Sequence, residues 1–294
     1  MEKSMLNPNE LCQAGINSAI GKSKLSSTQT ILLGILAGAF IALGGFCSTV
    51  ASHSISNFSI SKLVSGLVFP VGLILVIICG AELFTGNCLM ITAFLDKKIK
   101  LKSMLRNWIL VYFSNFIGAL IVVLLLYFSG SMGLNSGKLG ATVIKTAYAK
   151  STLTALKAFC SGILCNIIVC LAVWGSYAAK DVAGKIAIIW FPIMTFVVSG
   201  FEHSVANMYF LFVGLLAKNN PIYAKASLLS NSELSKINMG TILHNLTWVT
   251  LGNIIGGALF IGTVYWIVYG KNSSNEKASN KKIANIPTNM IENK

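Results

Sequence analysis

Residues 80–87 read Gly-Ala-Glu-Leu-Phe-Thr-Gly-Asn, and residues 200–207 read Gly-Phe-Glu-His-Ser-Val-Ala-Asn. Both stretches fit the pattern G-x-E-x-x-x-x-N, and they start 120 residues apart. A Phe-Pro pair precedes each of them, Phe69-Pro70 and Phe191-Pro192. An acidic residue and an asparagine that recur at one spacing indicate an internal repeat, and this repeat decides the fold.

Outward from these stretches, the chain is a series of apolar runs. A helix needs about 20 apolar residues to cross the hydrocarbon core of a bilayer. Six runs are long enough, and they cover residues 31–50, 63–83, 108–128, 158–179, 186–216 and 242–268. The two repeated stretches end the second run and interrupt the fifth. The third and sixth runs share the pattern N-x-x-G-[AG], at residues 115–119 and 253–257.

The repeat unit is therefore three spans. Because three is an odd number, the second unit must enter the membrane from the opposite side, which makes the repeat inverted. Such folds place the substrate path between the repeats, near the midplane, and use matched broken helices. A break in a membrane helix is tolerated only where it is buried in protein or lines a wet cavity. We predict an all-α integral membrane protein with six transmembrane helices in a 3+3 inverted repeat, with helices two and five broken.

The composition agrees with a membrane protein. Hydrophobic residues make up 54% of the 294 and charged residues only 11%, against about 25% in a soluble domain. This excludes a soluble enzyme and a disordered chain. Seven cysteines, mostly within the apolar runs, exclude a disulfide scaffold. The net charge of +14 lies largely in the gaps between runs, so it indicates membrane topology and not nucleic-acid binding.

The charges also predict the orientation and the boundaries. With the N-terminus in the cytoplasm, the inside segments hold 15 of the Lys and Arg residues and the outside segments hold 8. We therefore expect both termini to be cytoplasmic. Residues 1–30 form a polar N-terminal segment without a signal peptide. Residues 31–269 form the six-helix transmembrane domain, with repeat halves at about 31–129 and 151–269, and residues 270–294 form a disordered cytoplasmic tail.

Few ionisable residues fall within the spans. For Glu82 and Glu202 we favour a structural role, in which the carboxylates accept hydrogen bonds from N–H groups freed by the breaks, over a role in ion or proton handling. His203 lies in the fifth-span break and is a candidate pore residue; the alternative is a packing histidine. The Thr85 hydroxyl could bond a small anion or His203. Lys150 could attract anions or be an ordinary interfacial lysine.

Several catalytic and transport motifs are absent from the sequence. It has no C-x-x-C or Cys/His metal spacing, no H-E-x-x-H, no Walker A sequence and no T-V-G-Y-G filter, and no Asn-Pro-Ala lies in the spans. No nucleophile–base pair is visible. We therefore predict a protein that is not an enzyme and that has no metal site and no cofactor.

Three stretches resemble the formate/nitrite transporter family. They are residues 81–87, residues 165–174 (Cys-Asn-Ile-Ile-Val-Cys-Leu-Ala-Val-Trp) and residues 199–208, and the likeness extends from about residue 9 to residue 269. The resemblance implies an aquaporin-like six-helix protomer that assembles as a homopentamer with one pore per subunit. The implied substrates are small monovalent anions of weak acids, with hydrosulfide or formate favoured and nitrite next. Abundant Lys, Asn and Ile suggest a bacterial cell membrane.

The resemblance also assigns pore residues. Thr85 would face the central His203, and Glu202 would brace the second break. Asn166 and Asn207 would supply polar contacts to the pore and its histidine.

Lys150 lies 16 residues before Asn166, which is the spacing of the family's vestibule lysine. The sequence departs from some formate channels at residues 86–88, where those carry small hydroxyl residues. The implied apolar constrictions come from Phe69, Leu73, Leu83, Phe84, Val169 and Phe196.

These residues suggest a mechanism. Positive potential from Lys150 and the half-helix N-termini attracts the anion. Beside His203 and Thr85 the anion gains a hydrogen bond or a proton, and it then crosses the apolar constriction. The alternatives are a neutral-solute channel of the aquaporin type and a sodium-coupled secondary transporter.

Overall fold

A computed structural model describes residues 5–270 of the chain. The predicted disordered tail, apart from Gly270, lies outside the described residues. The fourteen α-helices of the described part are α1 (Pro8–Lys24), α2 (Ser27–Ser52), α3 (Phe58–Val68), α4 (Val71–Ile78), α5 (Phe84–Asn87), α6 (Ile91–Leu95), α7 (Leu101–Phe128), α8 (Lys138–Ser151), α9 (Ala155–Ser176), α10 (Val182–Ser199), α11 (Ser204–Ala217), α12 (Pro221–Ser227), α13 (Asn231–Ser235) and α14 (Met239–Ile254). Two π-helical segments, Ile255–Thr263 and Trp266–Gly270, continue α14.

Six helical segments are long and apolar enough to cross a bilayer, which confirms the predicted number of spans. They are Ser27–Ser52, Phe58–Ile78, Leu101–Phe128, Ala155–Ser176, Val182–Ser199 and Met239–Gly270. Two shorter apolar helices, Phe84–Leu95 and Ser204–Ala217, follow the second and fifth spans. The third span starts seven residues before the predicted start at 108. Polar residues occupy its first turns, and one of them, Arg106, donates to the Leu25 carbonyl and the Ser27 hydroxyl.

Both predicted helix breaks are present, and a glycine in the left-handed region opens each one. Gly80 has φ +77° and Gly200 has φ +72°. The residue after each glycine donates its N–H back into the last helical turn: Ala81 to the Val76 carbonyl at 2.8 Å, and Phe201 to the Phe196 carbonyl at 3.1 Å. Glycine adopts this conformation at little cost, so the two helices end at matched points.

The first break is held by an asparagine from the third span. The Asn115 side-chain amide donates to the carbonyls of Gly34 and Glu82, both at 2.8 Å. Its Oδ1 accepts the N–H of Phe84, the first residue of α5, at 2.9 Å. One buried side chain therefore satisfies three backbone groups that the break and its neighbour would leave exposed to hydrocarbon.

The second break has the same arrangement. The Asn253 amide donates to the carbonyls of Gly162 at 2.8 Å and Glu202 at 3.0 Å, and its Oδ1 accepts the N–H of Ser204 at 2.9 Å. The sequence-based expectation that the glutamate carboxylates accept the freed N–H groups is wrong. At each break one freed N–H, that of Phe84 or Ser204, is accepted by the asparagine three residues before a glycine, which gives the repeated N-x-x-G pattern a structural role.

The glycine of that pattern allows the first and third spans of each half to pack closely. A Cβ atom added to Gly118 would lie 2.0 Å from the Ile35 carbonyl oxygen, and one added to Gly256 would lie 2.3 Å from that of Ile163. Both distances are far below van der Waals contact, so only glycine fits. This close backbone approach sets the asparagine amide against the opposite helix.

The N-terminal helix α1 covers one end of the bundle. A capping box at Asn7 begins it, and it buries Cys12, Ile16 and Ala19. Burial, and secondarily the charge of Asp96, raises the pKa of the Cys12 thiol to about 11. Helix α1 packs against α6 and the Trp266–Gly270 segment, so residues 8–24 and the end of the sixth span lie on the same side of the molecule. The predicted boundary at residue 30 falls inside α2.

Candidate pore and its two vestibules

Two cavities of similar size lie at the two breaks. The first, about 400 Å³, is bordered by α1 and contains Lys22, Glu82 and Lys185 in its lining; we call it the α1 vestibule. The second, about 410 Å³, is bordered by α8 and contains Lys62, Lys150, Glu202 and His203 in its lining; we call it the α8 vestibule.

Between the vestibules, the two breaks meet through one hydrogen bond. Thr85 and His203 are almost fully buried, and Thr85 Oγ1 lies 2.9 Å from His203 Nε2. The Ala206 N–H donates to His203 Nδ1 at 3.0 Å, so Nδ1 is an unprotonated acceptor. The neutral ring therefore carries its proton on Nε2 and donates it to Thr85. The Thr85 hydroxyl keeps its own hydrogen for another acceptor.

Two aromatic rings pack beside the histidine on the α8 side. Phe196 stacks on the His203 ring, with centroids 5.9 Å apart, and Phe69 meets Phe196 edge-on at 5.5 Å. Phe69, Phe196 and His203 all line the α8 vestibule. On the other side, Leu73 and Leu83 line the α1 vestibule. The imidazole–hydroxyl pair therefore lies between two apolar surfaces.

The other two residues implied as constrictions lie outside both vestibules. Val169 and Phe84 are buried, and neither is part of the lining of either cavity. The Phe84 ring packs edge-on against Tyr112 at 5.0 Å and Trp108 at 6.3 Å. These contacts place its side chain between helices and not beside a vestibule.

A buried polar network holds Glu82 in the α1 vestibule. Its Oε1 pairs with Lys22 Nζ at 2.5 Å, and its Oε2 accepts the Asn87 amide at 2.7 Å. The same Asn87 amide donates to Asn107 Oδ1 at 2.8 Å. The Glu82 side chain is 5% exposed, so its charge is compensated by an ammonium brought by α1.

The α8 vestibule repeats this network around Glu202. Its Oε1 pairs with Lys150 Nζ at 2.8 Å, its Oε2 accepts the Asn207 amide at 2.5 Å, and that amide also donates to Asn245 Oδ1 at 2.8 Å. The ammonium also lies 5.5 Å from the centre of the Phe210 ring. Lys150 is therefore not a free cation, because its charge is paired with Glu202.

The two asparagines implied as partners of the histidine contact other groups. The Asn166 amide donates to the carbonyls of Thr85 at 3.2 Å and Asn253 at 2.6 Å, so it holds the backbone of the first break. Asn207 bonds Glu202, and its own Oδ1 has no hydrogen-bond partner within residues 5–270. Neither asparagine bonds His203, because Ala206 and Thr85 occupy both ring nitrogens.

Sequence reasoning missed three members of these networks. Lys22 was counted only as a cytoplasmic charge, and Asn107 and Asn245 were not singled out. A signal for the asparagines exists, since each lies eight residues before the asparagine of the N-x-x-G pattern, at 115 and 253. In the part of the chain that the structure describes, no cluster of three metal-binding side chains is present.

Comparison with known proteins agrees with this geometry. A family model described as formate/nitrite transporter matches residues 9–267. The formate channel FocA of Escherichia coli strain K12 is 37% identical over 270 residues, which are 90% of this chain and 95% of the relative. FocA of Haemophilus influenzae is 39% identical and covers 87% of this chain and 92% of its own length. The probable formate transporter of Methanothermobacter thermautotrophicus is 38% identical, and the match covers 92% of this chain and 100% of the relative.

Two solved structures are similar throughout. A pentameric formate channel with formate bound aligns with a TM-score of 0.74 and 34% identity, over 83% of this chain and 97% of that one. An ion channel of the FNT family aligns with a TM-score of 0.75 and 29% identity, and the alignment covers 88% of this chain and 98% of that one. The relatives are named as channels or transporters.

Proposed function

Because this chain belongs to the formate/nitrite transporter family, we propose that it is a membrane channel that conducts formate. We favour formate over hydrosulfide and nitrite because three relatives at 37–39% identity are named for formate. We further propose that it works as a homopentamer, as the similar formate channel does, in a bacterial cell membrane with both termini in the cytoplasm.

The observation that carries the proposal is the Thr85–His203 hydrogen bond between the two vestibules. A carboxylate can only accept hydrogen bonds, so a formate channel needs a donor where the path is narrow. The Thr85 hydroxyl is such a donor, because it already accepts from His203 and its hydrogen remains available. A hydroxyl polarised in this way is a stronger donor than an isolated one.

The surrounding apolar surfaces explain why a donor is needed. Moving a bare anion from water past Phe69, Phe196, Leu73 and Leu83 without a partner would be prohibitive. In the proposed mechanism, formate enters a vestibule and exchanges part of its hydration for the Thr85 hydroxyl. It crosses either in that hydrogen bond or as formic acid, after a hydronium ion in the vestibule has transferred a proton to it and become water.

The bond to Ala206 favours hydrogen-bond donation over proton donation by His203. A second proton on Nδ1 would place its N–H against the Ala206 N–H. The ring therefore works as a neutral donor in this conformation. The proton that accompanies formate comes from solvent and returns to solvent on the other side.

The test is flux in proteoliposomes with formate, hydrosulfide and nitrite measured side by side at two pH values. We compare wild type with His203→Ala and with His244→Ala, since His244 is an exposed histidine outside both vestibules whose ring packs against Trp248. We expect formate to pass fastest. Its flux should fall about tenfold or more in His203→Ala, because the Thr85 hydroxyl loses the group that orients and polarises it, and should be unchanged in His244→Ala.

Other outcomes would support a different substrate or mechanism. If hydrosulfide or nitrite passed faster than formate, that anion would be the preferred substrate. A sodium requirement would indicate a coupled transporter, and uptake of neutral solutes at the expense of anions would indicate an aquaporin-type pore. Equal passage of all three anions, unchanged in His203→Ala, would overturn the role of the histidine.

A further inference from the structure

Each vestibule has two lysines in its lining, and one of each pair is neutralised. Lys150 pairs with Glu202 in the α8 vestibule, and Lys22 pairs with Glu82 in the α1 vestibule. The carboxylates are 7% and 5% exposed and the lysines 15% and 23%, so these are largely buried ion pairs. A buried pair of opposite charges a few ångströms apart contributes little net field at a distance.

The second lysine of each vestibule has no such partner. Lys62 and Lys185 are half-buried, and neither forms an ion pair with any carboxylate of residues 5–270. Lys62 Nζ lies 5.8 Å from the centre of the Phe58 ring and reaches the break itself, since a Cβ on Gly200 would lie 3.6 Å from it. These two ammonium groups carry the uncompensated charge of the vestibule walls.

The two lysines hold similar but not identical places in the inverted repeat, because the 120-residue offset of the breaks leaves them three residues apart. Lys62 lies seven residues before Phe69, and Lys185 lies six residues before Phe191, the phenylalanines of the two Phe-Pro pairs. Both are near the start of the broken span of their half, in α3 and α10. The same charge therefore borders the path at both entrances.

We propose that Lys62 and Lys185, and not the paired Lys150 and Lys22, supply the electrostatic attraction that concentrates the permeant anion in the two vestibules. The inference rests on the proposed function in that the permeant is an anion. Low-dielectric walls focus the field of an unpaired charge in a cleft and raise the local concentration of counter-ions. The paired lysines have a different task, which is to hold Glu82 and Glu202 beside the breaks.

A structural role for Lys62 is the competing explanation, because its ammonium lies near the C-terminal end of α10, where a cation stabilises the helix dipole. That role predicts a change in stability and in maximal flux. Attraction of the anion predicts instead a change in half-saturating concentration that disappears at high salt.

The experiment measures initial formate influx against formate concentration, at roughly 0.01 M and 0.5 M background salt, where the screening length is about 30 Å and a few ångströms. The test variant is the double Lys62→Gln/Lys185→Gln, which removes one charge at each entrance. Its matched control is Lys98→Gln/Lys225→Gln, which removes one exposed lysine on each side outside both vestibules. Lys62→Arg/Lys185→Arg retains the charge.

At low salt, we expect the Gln double variant to have a half-saturating formate concentration about three- to tenfold higher than that of wild type. Its maximal flux, and its half-saturating concentration at high salt, should equal those of wild type. The Arg variant and the control should behave as wild type. The pair deletion Lys150→Gln/Glu202→Gln removes no net charge, so its salt dependence should match that of wild type whatever its maximal flux.

Two results would overturn the inference. One is a Gln double variant that keeps the salt dependence of wild type; the other is a pair deletion that loses it. Both results are obtained from the salt dependence of formate flux in variants that conduct formate. Absence of formate flux in wild type would contradict the proposed substrate instead, and the same salt series would then be run with hydrosulfide or nitrite.

Discussion

In the proposed channel, the tautomer of His203 favours Thr85 as the residue that contacts the permeant anion. Because Ala206 occupies Nδ1, the ring can act only through Nε2, and Nε2 is already bonded to the threonine hydroxyl. The imidazole therefore orients and polarises that hydroxyl more than it contacts the anion. A substitution of Thr85, the hydrogen-bond partner of His203, should therefore reduce formate flux.

Replacing Thr85 tests this directly. Thr85→Val keeps the shape of the side chain and removes the hydroxyl, which leaves the buried Nε2–H without an acceptor at about 1–3 kcal/mol and removes the donor to formate. We expect formate flux in proteoliposomes to fall roughly ten- to hundredfold, as a lost hydrogen bond to an anion implies.

Thr85→Ser is the matched control, since it keeps the hydroxyl, and it should retain most of the flux. A Val variant as active as the Ser variant would show that the hydroxyl does not contact the anion.

At the scale of single residues, the sequence located the polar residues of the breaks better than it predicted their hydrogen-bond partners. The acidic residues, the histidine and the threonine could be found because they recur in, or interrupt, apolar runs. Their partners could not, because Lys22 and Lys150 lie 60 and 52 residues away from the glutamates that they pair with. Which chain segments meet in space depends on packing that the sequence pattern does not encode.

Among the elements, the helix breaks were predictable and the irregular helices were not. A glycine followed by a buried acid in matched spans predicts a break on general grounds. The π-helical stretch Ile255–Thr263 has no such signal. It packs tightly against the fourth span, since a Cβ on Gly257 would lie 2.4 Å from Asn166 Nδ2 and 2.7 Å from Cys170 Sγ. Helix α8 was also missed, because it is too polar to read as a span.

The breaks also give a stability prediction. Gly80 has φ +77° and open space around it, so the cost of Gly80→Ala is purely conformational, about 1–2 kcal/mol. Gly21 is also surrounded by open space but lies within α1, where Ala is favoured over Gly by about 1 kcal/mol. We expect thermal unfolding in detergent to show a lower Tm for Gly80→Ala and an unchanged or higher Tm for Gly21→Ala.

The two variants should therefore shift in opposite directions, although each adds one methyl group. Equal shifts would mean that the first break does not depend on a left-handed glycine.

For the whole molecule, the inverted architecture was predictable because the same sequence patterns recur in both halves of the chain. The orientation in the membrane remains a prediction. It can be tested in a variant without cysteines that carries one new cysteine, Lys98→Cys in the loop between spans two and three or Lys138→Cys at the start of α8. A membrane-impermeant maleimide applied to intact cells should label the Lys138→Cys variant only. Labelling of the Lys98→Cys variant alone would show that the orientation is the opposite of the predicted one.

The matched vestibules have a consequence for the electrical behaviour of the pore. Each vestibule has one lysine–glutamate pair and one further lysine, so in the proposed channel an anion would meet similar charges at both entrances. The asymmetry lies further in, where Leu83 corresponds to His203 and Val205 to Thr85, and where aromatic rings line one side and leucines the other. Such a pore rectifies little: with equal solutions on both sides its current–voltage curve should be close to a straight line. The direction of net transport is then set by the gradients of the anion and the proton, and not by the protein.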